Sequence, residues 1–230
     1  MRRVTTVIVG IALCLLMIGV SVSLLTGHAF TRLLAGRFSL AAEAGLPHQR
    51  MLQVAEQVRA FVVDGDVHTL PATVDGRPGF DAGAVSHLRD VRGVLAGARV
   101  VTGALAALIA LWIGMHVARR RTSGIADALR AGAIAGASVV VLSVVIAFVD
   151  FERFFAAFHG IFFKSGTWTF PSDSLLIQTF PEPFWVSAGA TLGGLVLVFA
   201  AALWFTARFM DGVKRDVATP LPRAPEGPHA

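Results

Sequence analysis

Four long apolar runs divide the chain, and the polar positions fall almost entirely between them. They are Val4–Leu25 ("VTTVIVGIALCLLMIGVSVSLL"), Val100–Val117 ("VVTGALAALIALWIGMHV"), Leu129–Val149 and Phe184–Phe205. A helix of about 20 apolar residues crosses a hydrocarbon core of roughly 30 Å, so each run predicts one membrane span. The division reads as transmembrane helix 1 over 1–26, an extracytoplasmic helical cap over 27–97, and transmembrane helix 2 over 98–118. A cytoplasmic loop at 119–128, transmembrane helix 3 at 129–149 and an interfacial segment at 150–183 follow. Transmembrane helix 4 takes 184–206, and a cytoplasmic disordered tail takes 207–230. The fold class expected is an all-α integral membrane protein. Arg2 and Arg3 ahead of the first run imitate a secretory signal, but its apolar core exceeds the usual 7–15 residues and reads as an uncleaved anchor.

The connecting segments carry patterns of their own. Met51, Ala55, Val58 and Phe61–Val62 recur at helical spacing with Gln53, Glu56, Gln57 and Arg59 between them, which predicts an amphipathic helix over His48–Val63 ended near Gly65. A Gly/Pro loop, "VDGRPGFDAG", comes next; Asp81 is then a natural cap for a helix bearing "AVSHLRDVRGVLAGARV" and running into span two. On that helix His87 and Asp90 are i, i+3 neighbours. In the second connection, Phe151, Phe154, Phe155, Phe158 and Phe162 are spaced to continue span three outward as an interfacial helix, with Gly160 as its expected end. Trp168 and Trp185 add to an aromatic belt, and Pro171, Pro181 and Pro183 interrupt the backbone before span four.

Composition sharpens this picture. Of 230 residues 55% are hydrophobic, and mean hydropathy is +0.68, both of the membrane class. The formal charge of +5 does not indicate a nucleic-acid partner, because arginines and lysines gather at the ends of apolar runs. Arg119, Arg120 and Arg121 close span two, while Arg208, Lys214 and Arg215 follow span four. The positive-inside rule therefore puts both termini in the cytoplasm and the segments around His87 and His159 outside. The single cysteine, Cys14, lies within span one as apolar filler, which excludes an intrachain disulfide. The final "ATPLPRAPEGPHA", with His229, is Pro-rich and expected to be disordered.

The candidate chemistry rests on histidine. Of seven, His116 sits at the end of span two, and His28, His48 and His68 lie in the first outer segment without nucleophile neighbours. His87 and His159 each stand in a short, distinctive stretch at the outer mouth. A metal set drawn from His87, Asp90, Asp150 and His159 lacks dense ligand spacing. Ser86, Ser165, Ser172 and Ser174 are not in a G-x-S-x-G elbow, and no phosphate loop is present. Acid–base chemistry by imidazole on a lipid-borne group remains, since its ordinary pKa near 6.5 suits proton transfer at neutral pH. A non-catalytic accessory protein docking a partner through the cap is the competing reading.

The stretches "SHLRDVRGVLAG" (86–97) and "FHGIFFKSGTWTFPSDSLLIQTFPEPFW" (158–185) resemble two signatures of the lipoprotein intramolecular transacylases. The similarity extends over the four spans, the outer segment after span one and the separation of the two histidines. It implies transfer of the sn-2 acyl chain of a diacylglyceryl lipoprotein to the α-amino group of its amino-terminal cysteine, without a cofactor. It also implies that His159 and His87 are catalytic, His159 as base and His87 as the group that polarises the ester or returns the proton. Asp90, Lys164 and Arg92 are the expected supporting residues. Phe155, Phe158, Phe162 and Trp168 are the expected walls for acyl chains. Membrane lipids and the lipoprotein substrate are then the partners.

Overall fold

The computed structural model of the chain describes residues 2–65, 67–120 and 122–218. Among these, the elements are α1 (Arg2–Leu25), α2 (His28–Phe38), α3 (His48–Val63), a hairpin of β1 (Thr73–Val74) and β2 (Arg77–Pro78), and α4 (Ala82–Ala118). Then follow α5 (Ser123–Val149), α6 (Phe151–Phe162), α7 (Leu175–Thr179) and α8 (Glu182–Ala218). Four of them, α1, α4, α5 and α8, are long and apolar enough to cross a membrane, so the chain is a multi-pass, nearly all-helical membrane protein.

α1 and α5 approach most closely where side chains are smallest. A Cβ on Gly132 would lie 2.8 Å from Leu13 Cβ, and one on Gly10 would lie 2.7 Å from Ala131 Cβ. Between apolar helices in lipid no hydrophobic difference drives association, so close backbone approach through small residues supplies the packing. Outward-facing positions are bare in compensation: Phe148 is 91% exposed and Val149 79%.

The end of the bundle that carries the two outer connections is built differently. Met51, Val54, Ala55, Val58 and Phe61 of α3 are buried against Leu34 and Ala35 of α2, Leu88 of α4, Leu175 and Leu176 of α7, and Phe184 of α8. Full burial of a side chain such as Phe61 or Met51 contributes about 1.5–3 kcal/mol. α3 stops as its sequence predicts. The N–H groups of Asp64 and Gly65 both donate to Ala60 O, and Gly65 takes the left-handed conformation (φ 78°) that a side chain resists.

Several expectations are revised. The Gly/Pro loop folds into the β1–β2 hairpin. Asp75 (φ 51°) and Gly76 (φ 81°) both turn left-handed, as the two-residue Asp-Gly hairpin turn requires. Span three does not continue as one helix: Asp150 leaves helical geometry and its carboxylate accepts from Arg153 N at 2.9 Å, so α6 starts as a capped helix of its own. Gly160 does not end α6, because Phe163 N still donates to His159 O past it. The tail expected to be disordered from 207 is helical as far as Ala218. Ala207 packs in the cluster of Val9, Ile125 and Leu129, and Asp211 is bonded to Arg130 of α5, so that stretch has partners. The remainder of the expected tail, 219–230 with His229, lies outside the described residues.

Candidate functional site

α4 runs unbroken through the cap boundary drawn at 97/98 and carries His87 in its second turn. Its start is fixed by Asp81, whose carboxylate accepts from Ala84 N at 2.7 Å. The break at Asp150 separates α6 from α5, and His159 on α6 faces His87 on α4. The two imidazole rings stand 6.3 Å apart between centroids, tilted by 30°. His87 is 8% exposed and His159 9%, so both are secluded.

His159 is held by its own helix. Its Nδ1 is 2.9 Å from Phe155 O. A carbonyl only accepts, so Nδ1 carries the hydrogen and the neutral ring keeps its lone pair on Nε2. The Phe155 ring lies against the imidazole at 4.0 Å, Trp168 at 4.8 Å and Phe158 at 5.6 Å. Phe163 stands edge-on to His87 at 4.9 Å, and Phe170 covers it at 5.7 Å. Burial in this frame is the main cause that pushes the pKa of both histidines below the ordinary 6.5. For His87 the neighbouring His159 pushes the same way and Asp90 opposes; for His159 the Phe155 carbonyl opposes. Both rings are therefore neutral at pH 7, the form a proton acceptor needs.

Two polar atoms in the frame, His87 Nδ1 and Trp168 Nε1, are buried without a hydrogen-bond partner. Buried polar groups are ordinarily paired, so each marks a place for something the protein does not supply.

The other predicted residues divide clearly. Phe155, Phe158 and Trp168 touch His159; Phe162 touches Phe158 and Phe163 instead, and Phe158 and Phe162 are half exposed, at 49% and 46%. Asp90 is exposed and does not hold the His87 ring: it is near enough to act on His87 electrostatically as its i, i+3 neighbour, but His87 Nδ1 stays unpaired. Arg92 serves the cap: its guanidinium donates to Phe61 O at 2.5 Å and Val67 O at 2.7 Å and lies 4.2 Å over the Phe61 ring. It thereby occupies carbonyls left free at the end of α3. Lys164 is exposed on the turn after α6. Among the described residues no three His, Cys, Asp or Glu side chains converge as a metal set would.

The sequence reading missed Phe163 and Phe170 as walls of His87, and α2 and α7 as elements. α7 explains how the wall is set. Ser174 caps it by accepting from Ile177 N, its Leu175 and Leu176 enter the cap core, and Gln178 O accepts from Leu40 N at 2.8 Å. The irregular stretch 163–174 is thus tethered at both ends, by α6 and by α7, directly over the imidazoles. The only signal for this in the sequence was the dense aromatic content of "FFKSGTWTF".

The family model described as lipoprotein intramolecular transacylase Lit matches residues 6–185, which include every residue of this frame. The chain belongs to the Lit family. Three solved structures of Lit from Bacillus cereus, determined in meso, share the fold. One superposes with a TM-score of 0.78 at 15% identity over 94% of this chain and 98% of that one. A variant in which one histidine is replaced by arginine gives 0.75 at 18% identity, covering 94% and 95%. Another, with a histidine replaced by alanine, gives 0.74 at 15%, covering 94% and 96%. No curated protein sequence matches the chain. At these identities the structural likeness is one of fold, and membership rests on the match to the Lit family itself.

Proposed function

We propose that this Lit family member moves the sn-2 acyl chain of a diacylglyceryl lipoprotein onto the α-amino group of that lipoprotein's amino-terminal cysteine. The product carries an N-acyl group and a lyso-glyceryl group. The observation that carries the reading is the secluded pair of imidazoles, 6.3 Å apart, with the Nε2 lone pair of His159 left free by the Nδ1 contact to Phe155 O.

The chemistry needs little else. An α-amine, with pKa about 7.7–8.0, is largely protonated at pH 7; it gives up one proton to water before attack and a second as it bonds to the ester carbon. His159 Nε2 takes that proton. The amine nitrogen bonds to the ester carbonyl carbon, and the carbonyl electron pair moves onto oxygen. His87, with an unpaired Nδ1, donates to that oxygen. When the tetrahedral adduct collapses, the carbonyl re-forms, the bond to the glycerol oxygen breaks, and the leaving oxygen receives the proton held on His159. Nucleophile and ester belong to one molecule, so holding them together accounts for much of the acceleration. The exposed faces of Phe158 and Phe162 continue the aromatic frame toward lipid and suit the acyl chains.

The distribution of arginines and lysines supports an orientation with both termini in the cytoplasm and the histidines at the outer membrane–water boundary, where lipoprotein glycerides lie. The test is mass spectrometry of the amino-terminal peptide of a reporter lipoprotein made with and without the protein. The lyso form is expected only with it; an unchanged diacylglyceryl peptide in both samples would overturn the reading.

A further inference from the structure

We infer that Trp168 is a catalytic residue of this site, its indole N–H serving as a second donor to the oxyanion beside His87. The inference rests on the transacylation reading and deepens it.

The sequence cast Trp168 as apolar wall, and its ring does lie against His159, 4.8 Å between centroids. A phenylalanine would make that wall as well. What the indole adds is Nε1–H, a group that can only donate, and here it is buried with no partner. The contrast with Trp185 is direct. That indole packs on the same Phe155 ring and donates to Phe180 O at 2.9 Å. One tryptophan of the pair is satisfied within the fold, and the other keeps its donor unspent beside the base.

Trp168 Nε1 and His87 Nδ1, both buried and both unpaired, lie in the same aromatic frame, one on each ring that packs against or faces His159. An ester carbonyl drawn to His159 is neutral before attack and carries a full negative charge in the tetrahedral adduct. Donors waiting in a dry frame gain most when that charge appears, which lowers the barrier more than it tightens ground-state binding. Lys164, the alternative source of positive charge nearby in sequence, is exposed on the turn. The bonds balance as before: N–C forms, the carbonyl pair rests on oxygen under the Trp168 and His87 donors, then returns as C–O to glycerol breaks. Phe163, Trp168 and Phe170 all belong to the tethered stretch between α6 and α7.

The experiment replaces the indole nitrogen alone. The full chain carrying β-(3-benzothienyl)alanine at position 168 has the same ring shape with sulfur in place of N–H. In proteoliposomes, with a synthetic diacylglyceryl lipopeptide as probe, kcat is expected to fall about 10²- to 10³-fold with KM nearly constant, and Trp168→Phe to behave alike. Trp168→Gln, which restores a donor, is expected to recover part of kcat. As a measurement independent of turnover, the ¹⁵N-labelled indole resonance of Trp168 should move downfield when a tetrahedral phosphonate analogue of the lipopeptide binds. Wild-type kcat in the benzothienyl protein, a change confined to KM, or an unmoved resonance would each overturn the donor role and leave a wall residue only. Absence of lyso product from the wild type would instead overturn the transacylation reading itself.

Discussion

The two ends of the membrane domain carry nearly the same five-residue device. At one end "FAAFH" (155–159) puts His159 Nδ1 2.9 Å from Phe155 O with the tilted rings 4.0 Å apart between centroids. At the other, "WIGMH" (112–116) puts His116 Nδ1 2.9 Å from Trp112 O with the rings at 4.2 Å. Helix geometry alone produces both, since a side chain four residues on leans back over the preceding turn. What differs is the company. His116 is partly exposed and closes a helix beside Arg119 and Arg120, whereas His159 is buried and faces a second imidazole and Trp168. A local motif orients an imidazole; the elements packed around it decide whether that orientation has a use.

The largest break of this symmetry is expected from paired alanine variants. His159→Ala should lower conversion of a reporter lipoprotein by about 10²- to 10⁴-fold by mass spectrometry, and His116→Ala should leave it at the wild-type rate. Equal losses from the two would show the device itself, and not its setting, to be what matters. His87→Ala should follow closely, with about 10²- to 10³-fold lower kcat, because the carbonyl oxygen loses a donor while the base stays in place.

Acid sharpens the comparison from another side. The substrate amine titrates at about 7.7–8.0, so the rate should fall about tenfold per pH unit below that; burial lowers the pKa of His159 and His87 below 6.5, so the further steepening from loss of the base should begin only below 6.5. Stability has the same sign. The unfolded chain takes up protons at 6.5 before the folded one does, so folding weakens as pH drops through 6.5 toward the lowered values and is unaffected above 6.5. A second steepening of the profile that sets in above 6.5 would contradict a buried neutral base.

Smaller effects test the supports. Arg92→Ala should destabilise the cap by about 1–3 kcal/mol in thermal unfolding, through lost bonds to Phe61 O and Val67 O, with a modest activity loss that tracks the melting shift. Lys164→Ala should move both activity and stability least, within about 0.5 kcal/mol, since its side chain is exposed on a turn. A large kcat effect there would return Lys164 to the site.

Much of the fold was legible in the chain because membrane and helix each impose a simple rule. Lipid demands about 20 apolar residues per span, and α1, α4, α5 and α8 announce themselves that way. The α3 pattern, its Gly65 stop and the Asp81 cap are local, decided within a few residues. α2 and α7 were missed for the opposite reason. Neither "HAFTRLLAGRF" nor the five-residue "LLIQT" is strongly periodic, and both are helical because the cap core holds them. The overlong α8 was likewise settled by Arg130 and the cluster around Ala207, not by its own composition.

By itself, then, the sequence determined four spans, the amphipathic α3 and two histidines in unusual surroundings, because burial periodicity and residue type are properties of neighbours along the chain. Tertiary structure alone decided that His87 and His159, separated by two spans, come within 6.3 Å, that His87 Nδ1 goes unpaired, and that Arg92 serves the cap. It also decided that Trp168 keeps a buried donor with no partner while Trp185 does not. Those distinctions depend on which atoms lie opposite one another in space, a relation that no pattern along one strand of chain encodes.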